Sequence, residues 1–304
     1  MRNGATDWMI WHQLKVLSDR GNVQRVEDVL LDCGALSVTL EDSGDQPILE
    51  PGVGETPLWS EVTVSALFDP DCDISLITHQ FKDQLPNHGF CWETLPDKEW
   101  EREWMDKFHP LQCASNLWIC PSWSDPPDPK ATNLMLDPGL AFGTGTHPTT
   151  LLCLQWLAEQ PLTNRFLIDY GCGSGILAIA GLLLGADHAL CIDNDPQALL
   201  ATNDNAHRNR INATRFSTGM PDQFDTEPAD VLLANILAEP LIKLAPGLAS
   251  IVKSEGKICL SGILLEQAEQ VMAHYQPWFT LDPVVHQENW VRLTGIRNSA
   301  QPHA

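Results

Sequence analysis

Three glycines alternate with other residues directly after a short apolar segment: Gly171, Gly173 and Gly175 follow Phe166–Tyr170. Glycine lets the backbone approach a ligand closely while it takes the dihedral angles of a tight turn. The helix predicted behind the turn would present free N–H groups, which favour an anionic or polar group of a ligand, such as a carboxylate. The segment therefore predicts a strand that runs into a cradle for a nucleotide-like cofactor.

An acidic residue, Asp193, ends the next predicted strand about twenty residues after the glycines, where a carboxylate can accept both hydroxyls of an adenosine ribose. This pair alone is not specific. Nicotinamide and flavin enzymes use it too, and Gly173-x-Gly175-x-x-Ala178 satisfies their dinucleotide pattern. An ordinary tight connection is the plain alternative, although three alternating glycines at a strand end are costly without a ligand.

Two further segments set this pattern apart from a dinucleotide-binding one. A second glycine-containing segment, Asp137–Thr150, precedes the turn, and a dinucleotide-binding domain needs no such partner. Asn235 ends an apolar segment, so we expect it at the same sheet edge as Gly171 and Asp193, where ligands of open α/β sheets bind. A lone asparagine after a strand is usually a cap or turn residue, and its position beside the other elements favours a functional role.

The elements that position these residues alternate regularly from residue 133 onward. The predicted strands are Phe166–Tyr170, Ala189–Asp193, Val231–Asn235 and Lys257–Leu260, followed by helices from Ile176, Pro196, Pro240 and Leu264, and by a terminal antiparallel pair, Phe279–Val285 and Trp290–Ile296. Such alternation predicts a mainly parallel sheet covered on both faces. The two prolines are expected at the first helical position, where the missing N–H costs least.

The first hundred residues have a different order of elements. The predicted elements are the strand Met9–Leu17, the helix Val23–Cys33, the strands Ala35–Leu40 and Val62–Phe68, the helix Ile74–Leu85 and the strand Phe90–Leu95. This is the split βαβ order of ferredoxin-like domains, and nothing in it points to catalysis. Residues 97–132, rich in tryptophan and proline, are predicted to link this domain, 1–96, to a second domain, 133–304.

Composition narrows the class of protein. The chain has 304 residues and an apolar fraction of 43%, which supports two domains. The first thirty residues lack the apolar stretch of a signal peptide, and the longest apolar run, Ile176–Leu184, is far below the roughly 20 residues of a membrane span, so we expect a cytoplasmic protein without a membrane partner. The nine cysteines form no Cys-x-x-Cys pair, so neither disulfides nor a metal site is expected.

The formal net charge of −22 opposes direct binding of nucleic acid, because phosphates are repelled, and favours basic partners. The imbalance is concentrated in residues 1–100, which hold 18 Asp and Glu against 6 Lys and Arg, a net charge of −12. Solubility alone is the alternative explanation of so many acidic residues.

Taken together, the motifs resemble those of the bacterial ribosomal protein L11 methyltransferases. The resemblance is carried by the Gly-Thr-Gly-Thr-His-Pro-Thr-Thr loop that ends at Thr150, the Asp-Tyr-Gly-Cys-Gly-Ser-Gly turn, Ile-Asp-Asn-Asp-Pro around Asp193, Ala-Asn-Ile-Leu around Asn235, and Leu-Ser-Gly-Ile from Leu260. It covers nearly the whole chain, including Trp-Glu-Arg-Glu-Trp-Met-Asp from Trp100. Residues 1–7 depart from the family pattern as an extension with no evident role.

The resemblance implies a class I methyltransferase fold: a Rossmann-like α/β domain with a mainly parallel sheet and an antiparallel terminal hairpin, preceded by a small ferredoxin-like α+β domain that docks the substrate. It implies that S-adenosylmethionine binds at Thr150, Gly171, Gly173, Asp193 and Asn235. It also implies methyl transfer to lysine side chains and the N-terminal amine of a basic ribosomal protein of the large subunit.

Methyl transfer from a sulfonium to an amine is a direct displacement, so the enzyme mainly aligns the reacting atoms in a dry site. The amine must be neutral, and a nearby carboxylate would hold its proton on, whereas an amide orients the nitrogen without doing so. We therefore expect Asn235 to position the amine and Phe142 to wall its aliphatic stem, while the loop around Gly143–Gly145 closes over the cofactor. His147 is expected to cap the next helix, with proton acceptance as its alternative role.

Other functions fit parts of the pattern. The same fold and cofactor could serve another basic protein, a small molecule or a nucleic acid, the last of which the acidic charge opposes. A nicotinamide-dependent oxidoreductase would use the glycine turn and the acid. A binding protein without activity would not need the glycine and asparagine elements together.

Overall fold

The structure is a computed structural model that describes residues 10–44, 58–96, 108–137, 145–223 and 227–299. The chain divides into two compact units, Met1–Trp104 and Met105–Ala304. In the part of the chain that the structure describes, no helix has the length and apolar character needed to span a membrane.

The first unit is a four-stranded antiparallel sheet with two helices. Its elements are β1 (Ile10–Asp19), α1 (Val23–Asp32), β2 (Ser37–Asp42), β3 (Glu61–Phe68), α2 (Ile74–Gln84) and β4 (Phe90–Pro96). The strand order is β2-β3-β1-β4, and every pairing is antiparallel. The six elements follow the βαββαβ order that the sequence predicts. In α1 the buried side chains recur at helical spacing, at Val23, Val26, Val29 and Leu30, and form one apolar core with the sheet.

The second unit is an α/β domain. Its elements are β5 (Leu111–Ala114), β6 (Leu117–Cys120), β7 (Thr132–Met135), α3 (Pro148–Ala158), β8 (Phe166–Tyr170), α4 (Ile176–Leu183), β9 (His188–Ile192), α5 (Pro196–Arg208), β10 (Phe216–Gly219), β11 (Ala229–Asn235), α6 (Ala238–Ser250), β12 (Val252–Leu264), α7 (Ala268–Tyr275), β13 (Phe279–Leu281), β14 (Val285–Gln287) and β15 (Trp290–Arg297).

Among the described residues, eight strands form the main sheet, in the order β10-β9-β8-β11-β12-β15-β13, and β14 pairs with β15. The strands from β10 to β12 run parallel, and β15 runs antiparallel to β12, β13 and β14. This confirms the predicted fold class, a mainly parallel sheet with antiparallel strands at its end.

Successive residues of the central strands belong to cores on opposite faces of the sheet. Leu167 and Leu233 pack with α3 and α4, whereas Ile168 and Leu232 pack with α6 and α7. Because both faces are covered, these strands read as nearly continuous apolar segments in the sequence. The carboxyl ends of β8, β9 and β11 meet at one edge of this sheet.

Of the four expected helix starts, Ile176 and Pro196 are confirmed, and Pro240 and Leu264 are wrong, since Leu264 is the last residue of β12 and α7 begins at Ala268. Pro196 is the first residue of α5, whereas α6 begins at Ala238, so Pro240 is its third residue. A proline is still tolerated there, because the N–H groups of the first helical turn have no partner within the helix.

The range predicted as a linker, 97–132, contains two strands of the second unit. In it, β5 and β6 pair with each other, and β6 pairs with β7. Cys113, Leu117 and Ile119 are buried and belong to the core of the second unit, so this unit includes residues well before 133. Strands of four residues are too short for their alternation to stand out among tryptophans and prolines.

Candidate active site

The glycine turn connects β8 to α4 in the left-handed region of backbone conformation. Gly171, Gly173 and Gly175 have φ angles of 75°, 54° and 76°. The N–H groups of Gly171 and Cys172 both donate to the carbonyl oxygen of Ile192, at 2.7 and 3.0 Å, which ties the turn to the end of β9. The turn is therefore a defined structure at the carboxyl edge of the sheet, directly before the N-terminus of α4.

The structure corrects the reason for glycine at position 171. An ideal Cβ at Gly171 would lie 2.2 Å from Cγ2 of Ile236, and one at Gly175 would lie 2.7 Å from Cγ2 of Thr202. Atoms of the protein itself therefore exclude a side chain at both positions. Packing within the protein therefore accounts for glycine at positions 171 and 175, whereas the sequence analysis attributed all three glycines to a ligand.

Asp193 connects the end of β9 to the glycine turn. Its Oδ2 accepts a hydrogen bond from the N–H of Gly173 at 2.9 Å, and its Oδ1 accepts one from the N–H of Asp195 at 3.0 Å. The side chain is half-buried. Because each carboxylate oxygen has a second lone pair, both oxygens can still accept a hydroxyl of a ligand.

Asn235 and Thr150 meet at the same edge. Asn235 is the last residue of β11, and Thr150 is the third residue of α3 and fully buried. The amide Nδ2 of Asn235 donates to the hydroxyl Oγ1 of Thr150 at 3.3 Å. Its Oδ1 is buried and has no hydrogen-bond partner among the described residues. A buried oxygen in that state costs about 1–3 kcal/mol, which indicates a donor that a ligand brings.

His147 is the N-cap of α3, as the sequence predicts. Its Nδ1 accepts from the N–H of Thr149 at 3.4 Å and lies 2.8 Å from the Thr149 hydroxyl, while the ring packs edge-on against Trp290 with centroids 4.9 Å apart. Burial lowers the pKa of His147, although the carboxylate of Glu288 opposes this. With Nδ1 engaged as an acceptor in the cap, His147 is a poor candidate for a base.

Asp169 is a buried acidic residue beside the candidate active site, and the sequence analysis did not assign it to the site. It lies in β8, where its Oδ2 accepts from the N–H of Ala178 at 3.1 Å and its Oδ1 has no partner within the described ranges. Complete burial raises the pKa of this carboxyl to about 7, and the charge of Asp193 adds to the effect. The signal in the sequence is an acidic residue inside an apolar strand immediately before the glycines.

The structure thus brings Thr150, Gly171, Gly173, Asp193 and Asn235 to one edge of the sheet. Phe142 lies outside the described residues, as do Gly143 and Thr144. Within the ranges that the structure describes, no group of three or more His, Cys, Asp or Glu side chains could hold a metal ion.

Comparison with known proteins identifies the family of the chain. The family model described as ribosomal protein L11 methyltransferase matches residues 10–298. A protein of that name from Cellvibrio japonicus is 55% identical over 296 residues, which cover 96% of this chain and 100% of the relative. One from Saccharophagus degradans is 51% identical over 293 residues, or 95% of this chain and 100% of the relative.

A solved structure shares the fold. The crystal structure of a ribosomal protein L11 methylase from Lactobacillus delbrueckii subsp. bulgaricus is 31% identical and superposes with a TM-score of 0.58, covering 63% of this chain and 100% of that one.

Proposed function

The chain belongs to the ribosomal protein L11 methyltransferase family, and from this premise we propose that Asn235 orients the acceptor amine during methyl transfer. The protein is an S-adenosylmethionine-dependent methyltransferase whose substrate is ribosomal protein L11. The observation that carries the role of Asn235 is its buried Oδ1, which has no partner among the described residues and lies at the carboxyl edge of the sheet.

The residues at this edge fit S-adenosylmethionine. Asp193 retains lone pairs for the two hydroxyls of a ribose. The N–H groups of Gly171, Cys172, Gly173 and Gly175 already donate within the protein, so we assign the carboxylate of the cofactor to the first N–H groups of α4, which starts at Ile176 without a side-chain cap. We assign cofactor binding to Thr150, Gly171, Gly173, Asp193 and Asn235. When bound, S-adenosylmethionine supplies a methyl group on a positively charged sulfur.

Asn235 acts on the amine through a neutral acceptor. The bond from Nδ2 to Thr150 fixes one side of the amide, so Oδ1 is the atom that accepts an N–H of the substrate. A carboxylate at this position would stabilise the protonated amine, which cannot attack, whereas an amide orients the nitrogen and leaves its pKa low. Asn235 therefore selects and aligns the reactive, neutral form.

The proton of the acceptor amine is lost to solvent before the attack. At pH 7 this deprotonation costs about 4.6 kcal/mol for a lysine of pKa near 10.4 and about 1.4 kcal/mol for an N-terminal amine of pKa near 8. His147 does not take the proton, because its Nδ1 is engaged in the helix cap and burial lowers its pKa. We propose both kinds of amine on ribosomal protein L11 as acceptors, with Phe142 as a wall for the lysine stem.

The partner is a basic protein that docks on the first unit, and no nucleic acid takes part. The support is electrostatic, since residues 1–100 carry a net charge of −12. Raising the salt concentration from about 50 to about 300 mM should then raise KM for the protein acceptor and leave cofactor affinity unchanged. A KM that does not respond to salt would contradict this docking. We place the activity in the cytoplasm, where ribosomal proteins are made.

The direct test is to incubate the full chain with radiolabelled S-adenosylmethionine and purified ribosomal proteins of both subunits, with and without ribosomal RNA. One labelled protein band, ribosomal protein L11, is expected, with label at lysines and at the N-terminal residue after digestion. Label on RNA, or on a different protein, would overturn the acceptor assignment. Tight binding of a nicotinamide cofactor in calorimetry would support the oxidoreductase alternative instead.

A further inference from the structure

The residue after Asn235 is held between two glycines from different parts of the sheet. On one side, Cγ2 of Ile236 lies 2.2 Å from where a Cβ of Gly171 would be. On the other side, a Cβ at Gly262 would lie 2.3 Å from the carbonyl oxygen of Ile236, 2.7 Å from its carbonyl carbon and 3.0 Å from its nitrogen. Both the side chain and the main chain of Ile236 therefore occupy space that only glycine leaves open.

Gly262 owes its position to an irregularity in β12. In the antiparallel pairing of β12 with β15, Leu260 lies opposite Leu293 and Ile263 lies opposite Val291. The step is three residues on β12 but only two on β15, so β12 contains one extra residue. Gly262 has φ of 82°, in the left-handed region, and the hydroxyl of the fully buried Ser261 donates to the carbonyl of Val291 at 2.8 Å. This is a β-bulge with a left-handed glycine, which bends its own strand and increases the local twist.

The bulge lies directly beside the end of β11. Asn235 pairs with Ser261, and the chain then leaves the sheet through Ile236, which meets Gly262. Because the atoms that Gly262 touches are main-chain atoms, no change of side-chain rotamer can make room for a Cβ. Any side chain at position 262 must move the backbone at Ile236 and, one peptide bond away, at Asn235.

We propose that Gly262 and Ile236 are positioning residues for methyl transfer, which hold the Asn235 amide against Thr150. The proposal rests on the role of Asn235 proposed above. The bond between Asn235 and Thr150 measures 3.3 Å, at the long end of the hydrogen-bond range, so a small shift of the backbone breaks it. A displacement of about 1 Å at a reacting group can cost about 100-fold in rate.

This role is separable from the part of cofactor binding that we assign to Asp193 and Gly173. Gly262 is on β12, which is separated from β8 and its glycine turn by β11, and the three atoms nearest to a Cβ at position 262 all belong to Ile236. Substitution at position 262 should therefore lower kcat much more than it lowers the affinity for S-adenosylhomocysteine, the product form of the cofactor.

The test compares four variants of the full chain: Gly262→Ala, Ile236→Ala, Ile236→Val and the control Gly256→Ala. Gly256 is also on β12, nearer its amino end, and a Cβ at position 256 would lie 2.7 Å from the carbonyl oxygen of Lys253. The control therefore has a comparable main-chain clash far from Asn235. The readouts are kcat with ribosomal protein L11, the melting temperature, and calorimetric affinity for S-adenosylhomocysteine.

We expect Gly262→Ala to lower kcat by about 10- to 100-fold and Ile236→Ala by about 10-fold, with affinity for S-adenosylhomocysteine within about threefold of wild type. Ile236→Val keeps Cγ2 and should stay within about twofold in kcat. Gly256→Ala should lower the melting temperature without a selective loss of kcat. If Gly262→Ala does not fold, the comparison of Ile236→Ala with Ile236→Val decides the proposal.

Two results would overturn the positioning role: kcat of Gly262→Ala and Ile236→Ala no lower than that of Gly256→Ala, or a loss of S-adenosylhomocysteine affinity equal to the loss of kcat. Asn235→Gln, measured in parallel and combined with Gly262→Ala, separates this from the proposed function. A normal kcat for Asn235→Gln would refute the role of Asn235 itself. If Gly262→Ala lowers kcat by the same factor in the wild type and in the Asn235→Gln variant, only the action of Gly262 through Asn235 is refuted.

Discussion

The amide of Asn235 donates a hydrogen bond to the hydroxyl of Thr150 across 3.3 Å, although 85 positions of the sequence separate the two residues. The contact joins the end of β11 to the first turn of α3. It leaves Oδ1 of the amide as a buried acceptor with no partner among the described residues.

Thr150→Val removes the acceptor for Nδ2 of Asn235 and keeps the volume of the buried side chain. The amide is then free to rotate, so we expect kcat to fall about tenfold, equivalent to about 1.4 kcal/mol, with a stability loss of about 1 kcal/mol. Thr150→Ser keeps the hydroxyl and is the matched control. Equal kcat values for the two variants would show that the hydroxyl does not orient Asn235.

Asn235→Asp replaces the neutral acceptor with a carboxylate of the same size. The charge stabilises the protonated amine, so turnover with a lysine acceptor should fall by about 10- to 100-fold and recover partly as the pH is raised. Affinity for S-adenosylhomocysteine should change by less than about fivefold. Steady-state kinetics between pH 7 and pH 9.5, with calorimetry at each pH, would measure this; unchanged turnover at pH 7 would contradict it.

Asp193→Ala removes a carboxylate that accepts from Gly173 and is proposed to accept the ribose hydroxyls. Because hydrogen bonds to a charged group contribute about 1.5–3 kcal/mol each and two are lost, affinity for S-adenosylhomocysteine should fall by about 100-fold or more. Asp195→Ala is the matched control. Its side chain caps α5 by accepting from Gln197, so that variant should lose about 1 kcal/mol of stability and keep its cofactor affinity.

Asp169 should make stability depend on pH. Burial raises its pKa to about 7 in the folded protein, whereas an unfolded aspartate has a pKa near 3.9, so the folded state binds the proton more tightly. The stabilisation from this proton is fully present below about pH 4 and is lost as the pH rises through about 7.

Asp169→Asn removes this titration and keeps an acceptor for Ala178. The variant should gain stability over the wild type as the pH rises from 4 to 7, by an amount on the order of a few kcal/mol, and the gain should be constant above about pH 8. Urea unfolding at several pH values measures the difference. Curves for the two proteins that stay parallel from pH 4 to pH 8 would refute a raised pKa at this carboxyl.

Much of this architecture could be predicted from local features. The apolar segments before Gly171 and Asn235 indicated strands of a covered parallel sheet, and such strands place their carboxyl ends at one edge. The starts of α3 at Pro148, directly after the cap His147, and of α5 at Pro196 follow from proline, which is favoured at the first helical position. The strands β5 and β6 were missed, because a pattern of four residues is too short to indicate a strand by itself.

What the sequence determined was therefore the order of the elements, the class of fold and the common edge of the candidate site residues, since each depends on periodicity, strand ends and turn residues that are local in the chain. Only the tertiary structure decided that Gly171 and Gly262 enclose Ile236, that Thr150 holds the amide of Asn235, and that Oδ1 is left without a partner among the described residues. These contacts join segments far apart in the chain. Their distances depend on the register of β12 against its neighbours and on close packing, which no local pattern encodes.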